Sequence, residues 1–232
     1  MNWKNGKYGL QKMTLLDFPG HVACTVFTVG CNFRCPFCHN GGLVKGEAEL
    51  VEGRDVYSFL EKRAGILEGV CITGGEPLLR EEIFSFMEEA HALGYKVKLD
   101  TNGYRPEALK YVLEKGLADF VAMDIKNSPE KYGITAGVPD LDIRKIEESI
   151  RLLECSRTDF EFRTTVVAPF HREEDFDAIG KWLGNVPNYF LQKFVDSGDL
   201  LGEGTGPVPD EEMKKYLQCV QRYIPGAKLR GI

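Results

Sequence analysis

Six times along this chain a short apolar run gives way to a helical pattern, and that alternation constrains the fold more than any other feature. Runs at 22–28, 69–73, 96–99, 119–123, 160–167 and 189–194 have the length and the branched or aromatic content of strands. Helical spacing follows each of them or precedes the next. Ile83, Met87, Ala90 and Leu93 recur every three or four residues and stop at Gly94. Leu109, Val112 and Leu113 lie between Pro106 and Gly116, a proline opening and a glycine closing one helix. Ile143, Ile146, Ile150 and Leu153 make another face, and Phe176, Ile179 and Leu183 a further one. Segments 55–63 and about 210–224, the latter with Met213, Leu217 and Val220 inward, complete the set. Strands separated by helices pair in parallel, because a parallel pair needs a crossover connection. Six units are too few for a closed eight-stranded barrel. An open partial barrel and a doubly wound sheet both fit. With no low-complexity segment or linker, 1–232 reads as one domain with its core over about 15–200.

Composition narrows the setting. Lys and Arg number 29 against 35 Asp and Glu, a net charge of −6 with no basic run. That argues against a life on nucleic-acid phosphates or an anionic membrane surface. No apolar stretch approaches the ~20 residues of a spanning helix, and the first residues lack the apolar core of a secretory signal. The expected location is therefore the cytoplasm, where the seven cysteines are thiols or metal ligands rather than bridges. Cys31, Cys35 and Cys38 fall close together, directly after the first strand, and Cys24, Cys71, Cys155 and Cys219 are scattered. Cys24 and Cys71 sit in apolar strands and read as core. Cys155 and Cys219 are too isolated to hold a second metal centre.

Ligands of parallel α/β folds gather where strands end. Those positions hold the three cysteines after the first strand and Thr73-Gly74-Gly75-Glu76-Pro77 after the second. Asp100-Thr101-Asn102-Gly103 follows the third, Asp124-Ile125-Lys126 ends the fourth, and Arg163, Gln192 and Lys193 lie on the fifth and sixth. Each has an ordinary reading as well. Glu76-Pro77 can simply start a helix, Asn102-Gly103 is a turn dipeptide, and Asp124 and Lys126 can be solvated charges. His91 reads as a helix-surface residue, and His171 has no assigned role. Three closely spaced thiolates suit a soft metal centre. A structural zinc wants a fourth ligand, for which only the adjacent His39 offers itself. An iron–sulfur cube on three cysteines leaves one iron open to a small molecule.

Cys31-Asn-Phe-Arg-Cys35-Pro-Phe-Cys38 resembles the signature of radical SAM enzymes, and Thr73-Gly74-Gly75-Glu76-Pro77 resembles their GGEP motif. Asp17-Phe18-Pro19-Gly20, Cys38-His39-Asn40, Asp100-Thr101-Asn102-Gly103 and Asp124-Ile125-Lys126 extend the resemblance to the glycyl-radical-enzyme activases. Within that group, Leu15-Leu16-Asp17-Phe18-Pro19-Gly20 and the strand at 189–194 resemble the activating proteins of anaerobic ribonucleoside-triphosphate reductase. Segment 41–70 holds no cysteine, unlike activases that carry a ferredoxin-like insertion there.

The resemblance implies a partial (β/α)6 TIM-like barrel with parallel strands. It implies one [4Fe–4S] cluster on Cys31, Cys35 and Cys38, its open iron chelating the methionyl amine and carboxylate of S-adenosylmethionine. One electron then yields methionine and a 5′-deoxyadenosyl radical. Gly74 and Gly75 would let backbone approach the amine, with Glu76 accepting from it, and Phe37 would pack beside the adenine. Lys126 would pair with the carboxylate, or Asp100, Thr101 and Asp124 would surround a monovalent cation near it. Arg163 and Gln192 would face the ribose or adenine. The implied partners are a glycyl radical enzyme as protein substrate and a flavodoxin or ferredoxin-like electron donor. Alternatives are an activase of the pyruvate formate-lyase type, a small-molecule enzyme resembling 7-carboxy-7-deazaguanine synthase, and a non-enzymatic iron–sulfur or zinc module.

Overall fold

A computed structural model describes residues 2–196 and 198–232. In chain order its first elements are strands β1 (Lys7–Thr14) and β2 (Ala23–Thr28), helix α1 (Gly41–Lys45), strand β3 (Val51–Glu52) and helix α2 (Gly53–Arg63). Strand β4 (Gly69–Gly74), helix α3 (Glu82–Ala92), strand β5 (Lys96–Thr101), helix α4 (Pro106–Lys115) and strand β6 (Phe120–Asp124) continue the alternation. Then come helices α5 (Tyr132–Ala136) and α6 (Ile143–Glu154), strand β7 (Asp159–Ala168), helix α7 (Glu173–Leu183) and strand β8 (Tyr189–Lys193). Strand β9 (Gly206–Pro207), helix α8 (Asp210–Gln221) and strand β10 (Lys228–Arg230) close the chain. The expected α/β fold with a mostly parallel, unclosed sheet is what the chain adopts.

The chain folds as two compact units, one of residues up to 32, 42–122 and 155–159, the other of 33–41, 123–154 and 160–232. In the first, β2 pairs in parallel with β4 (Val26↔Ile72) and β4 with β5 (Ile72↔Leu99). Val26, Val70, Ile72, Val97 and Leu99 are completely buried, as are Ile83, Phe86 and Met87 on α3. Each such side chain contributes about 1.5–3 kcal/mol by leaving water. Beyond β2 lie two strands the apolar alternation does not predict. β1 runs antiparallel to β2 (Leu10↔Val26), and β3 antiparallel to β1. β1 carries Lys7, Gln11 and Lys12 at exposed or half-buried positions, so it lacks the continuous apolar run of a strand covered on both faces.

In the second unit β8 lies between β7 and β10, all parallel (Thr164↔Leu191, Leu229↔Leu191), and β9 is antiparallel to β7. Phe162, Val166, Leu191, Phe176, Ile179, Met213 and Val220 form its interior. Helices α7 and α8 each open with three acidic residues, Glu173, Glu174, Asp175 and Asp210, Glu211, Glu212, facing the positive end of the helix dipole. In the first unit α4 starts at Pro106 and stops where Gly116 turns left-handed (φ 62°), as expected. No helix among the described residues is long and apolar enough to cross a membrane.

Candidate active site

In the first unit, the turn after β4 is knitted to the start of the cysteine loop through backbone. Gly75 N–H donates to the Thr28 carbonyl and Glu76 N–H to the Gly30 carbonyl, each at 2.9 Å. Only glycine permits this. A Cβ on Gly75 would stand 1.8 Å from the Gly30 oxygen, and one on Gly74 (φ +120°) 2.4 Å from the Thr28 backbone. Arg80 adds a side-chain grip, its Nε and Nη2 donating to the Val29 carbonyl at 3.1 and 2.9 Å.

Glu76 is 1% exposed and ties β4 to β5. Its Oε1 accepts from Leu78 N–H (3.0 Å) and the Thr101 hydroxyl (2.8 Å), and its Oε2 from Asn102 N–H (2.7 Å). The helix-starting reading of Glu76 is therefore also true, since it caps the single 3-10 turn Pro77–Leu79. The Asn102 side chain turns toward the cysteine loop, its Nδ2 lying 3.8 Å from Cys31 Sγ and 2.8 Å from Asn32 Oδ1. Asn32 Nδ2 is buried without a hydrogen-bond partner. Asp100 forms an ion pair with the buried Lys98 on the same strand face.

In the second unit, Cys38 N–H donates to the Cys35 carbonyl at 3.0 Å, closing a tight turn, and Cys35 is 7% exposed. Arg34 N–H holds this segment to the Ala136 carbonyl (2.9 Å). Asp124, Lys126 and Arg163 form one ionic group. Arg163 Nε donates to Asp124 Oδ1 at 2.6 Å and Lys126 Nζ to Oδ2 at 2.8 Å. Burial pushes the Asp124 carboxyl up, but the charges of Arg163 and Lys126 overcome this and hold it well below the usual carboxylate range. Burial likewise disfavours the Lys126 cation, and Asp124 together with the Cys35 sulfur more than restores it. Phe37 packs against Phe170 (ring centroids 5.8 Å). Gln192 lies half-buried on β8, in register with Thr165 and Arg230. Among the described residues no three His, Cys, Asp or Glu side chains stand together as a metal-binding group.

His171, without a role in the sequence reading, is a brace. It is buried, its Nδ1 receives the Val167 N–H at 3.1 Å, and its Nε2 lies 2.9 Å from the Lys126 carbonyl. That pairing assigns the proton to Nε2. Burial lowers its pKa, against backbone hydrogen bonds that favour the cation. The stability held by the neutral ring is thus complete above the unfolded value near 6.5 and is lost as pH falls from there through the depressed folded value. Denaturation midpoints are expected to drop between about pH 7.5 and 5.5 in the native chain and to drop less in His171→Gln. Equal slopes in the two proteins would refute this role.

Cys24 and Cys71 are completely buried, as expected of core thiols, and burial pushes the Cys24 thiol up to about 12. His91 stands on α3 with Nε2 3.0 Å from Asp119 Oδ2, as expected of a surface residue.

A mostly parallel, unclosed α/β sheet, with a glycine–carboxylate turn bonded to the backbone just before Cys31, is the class of fold these residues define. Solved structures bear out the fold. SuiB of Streptococcus suis bound to the precursor peptide SuiA matches 89% of this chain and 48% of its own, at TM-score 0.64 and 15% identity. Native anSMEcpe with bound AdoMet matches 84% of this chain and 58% of its own, at TM-score 0.60 and 17% identity. The chain thus spans about half the length of these structural neighbours. It belongs to the Radical SAM superfamily, whose family model matches residues 25–183. A Methanocaldococcus jannaschii protein named for glycyl-radical enzyme activation is 27% identical over 97% of this chain and 95% of its own. The pyruvate formate-lyase-activating enzyme of Clostridium pasteurianum is 30% identical over 52% of each chain. A 7-carboxy-7-deazaguanine synthase of Koribacter versatilis is 35% identical over 63% of this chain and 62% of its own.

Proposed function

We propose that this protein cleaves S-adenosylmethionine reductively, with one [4Fe–4S] cluster on Cys31, Cys35 and Cys38, and passes the radical to a glycine of a partner glycyl radical enzyme in the cytoplasm. The observation that carries the activase reading is the relative named for that activity, which aligns along nearly the whole of both chains. The donor set fits the cluster. Three cysteine sulfurs are soft ligands, and the Asn102 side-chain N–H reaches Cys31 Sγ at 3.8 Å. Such donors to sulfur are what an iron–sulfur centre uses to set its potential.

When bound, the cluster supplies one electron to the sulfonium, giving methionine and a 5′-deoxyadenosyl radical. The chain's own groups hold and orient. Glu76, fixed by Thr101 and Asn102, accepts from the methionyl amine beside Gly74 and Gly75. Lys126 and Arg163, two cations to the one carboxylate of Asp124, offer charge to the methionyl carboxylate. Phe37 lies beside the adenine, with Gln192 toward the nucleoside. The partner's glycine gives its Cα hydrogen to the radical, 5′-deoxyadenosine leaves, and the glycyl radical remains. Anaerobic ribonucleoside-triphosphate reductase is the proposed partner, and a flavodoxin or ferredoxin-like protein the electron donor.

Anaerobic reconstitution is expected to give about four irons per chain and, with reductant and S-adenosylmethionine, a glycyl EPR doublet on that reductase. A doublet only on a pyruvate formate-lyase-type enzyme would move the partner. Formation of a 7-carboxy-7-deazaguanine-type small molecule without any doublet would favour the deazaguanine-synthase relative as the guide.

A further inference from the structure

Each carboxylate that the family resemblance would set around a monovalent cation is already matched by a fixed cation of its own unit. Asp100 pairs with Lys98, two residues earlier on β5, where alternation puts both side chains on one face. The Lys98 side chain is 2% exposed and that of Asp100 11%. Lys98 Nζ also lies 3.8 Å from Cys71 Sγ, so the ammonium is enclosed rather than reaching to water. A lysine buried this far is tolerated only when a counter-charge meets it, and Asp100 is that counter-charge. Asp124 is bridged on both oxygens, Oδ1 by Arg163 and Oδ2 by Lys126. Sodium or potassium would have to compete with these N–H groups for the same carboxylate oxygens. A metal ion brought to either carboxylate would also be repelled by the cation in contact with it.

We propose that this chain binds S-adenosylmethionine without a monovalent metal ion, with Lys98 supplying the charge that Asp100 requires and Lys126 with Arg163 meeting the methionyl carboxylate. The inference rests on the proposed function in one respect, that S-adenosylmethionine is the ligand. Lys98 acts through Asp100 and is a positioning residue.

The test measures S-adenosylmethionine affinity of the reconstituted protein by anaerobic equilibrium dialysis. The buffers contain tetramethylammonium, sodium or potassium chloride at matched ionic strength. Affinities within about twofold of one another are expected, since only general screening is then at work. Saturable tightening of about tenfold or more by sodium or potassium over tetramethylammonium would overturn the inference and leave the proposed function standing. No binding in any buffer would take down the proposed function and this inference with it. Lys98→Met is expected to bind about tenfold more weakly in tetramethylammonium and to regain affinity in sodium or potassium. Lys98→Arg, which keeps the charge, is expected to stay indifferent to the cation. If neither lysine variant folds, the native-chain comparison alone decides.

Discussion

Replacing Cys35 with Ala is expected to leave a folded chain that no longer holds iron. The Cys35 thiol is not what anchors this segment. Its Sγ lies 3.7 Å from the Ala136 carbonyl, a weak contact, and the backbone of this segment is held independently by Arg34 N–H on the same carbonyl. Removing the sulfur leaves that backbone bond in place while reducing the ligand set from three to two. Loss of even an outer partner of a metal centre typically costs about 10–100-fold, so loss of a ligand should lower S-adenosylmethionine cleavage by more than about 100-fold. Iron and acid-labile sulfide per chain, visible absorbance and 5′-deoxyadenosine yield all report it. Cys155→Ala, at an exposed thiol outside the loop, serves as the control and should keep its iron. Full iron content in Cys35→Ala would refute the ligand assignment.

Glu76→Gln is the second large effect, and it separates a carboxylate's shape from its charge. Glutamine fills the same space but replaces one acceptor oxygen by an NH2 group. One of the two oxygens that now receive Thr101, Leu78 and Asn102 then presents hydrogens to hydrogens. A buried donor left unsatisfied costs about 1–3 kcal/mol, and in a chain of this size each kcal/mol moves Tm by about 2–4 °C. The same change removes the negative charge proposed to receive the methionyl amine. Affinity for S-adenosylmethionine should therefore fall by about tenfold or more. Calorimetry and equilibrium dialysis measure the two effects separately. Unchanged Tm would deny the tie between β4 and β5, and unchanged affinity would deny the amine contact.

The parts of the molecule legible in the sequence are those whose signal is local. A run such as Gly69–Gly74 declares itself by composition, and a helix such as Pro106–Lys115 by its spacing and its terminal Pro and Gly. The cysteine triplet and the glycine pair are likewise local, because their spacing is their chemistry. What was hidden works at long range. Arg80 grips a carbonyl 51 residues away, and His171 braces one 45 residues away, so neither stands out among its neighbours in the chain. β1 was hidden by its polar half-exposed face, and β10 by being only three residues long. Lys98 is the instructive miss. Strand parity already put it on the face of Asp100, between the buried Val97 and Leu99, and a lysine inside an otherwise apolar strand is a signal that composition alone obscures.

The backbone knit between Thr28, Gly30, Gly75 and Glu76 has a consequence for the life history of the protein. These bonds, with the Arg80 grip on Val29, set the entry to the cysteine loop using main chain and one guanidinium. Under the proposed function, seating the cluster would then be separable from forming this turn, so a chain emptied of iron would keep the entry to the cysteine loop and could accept a new cluster.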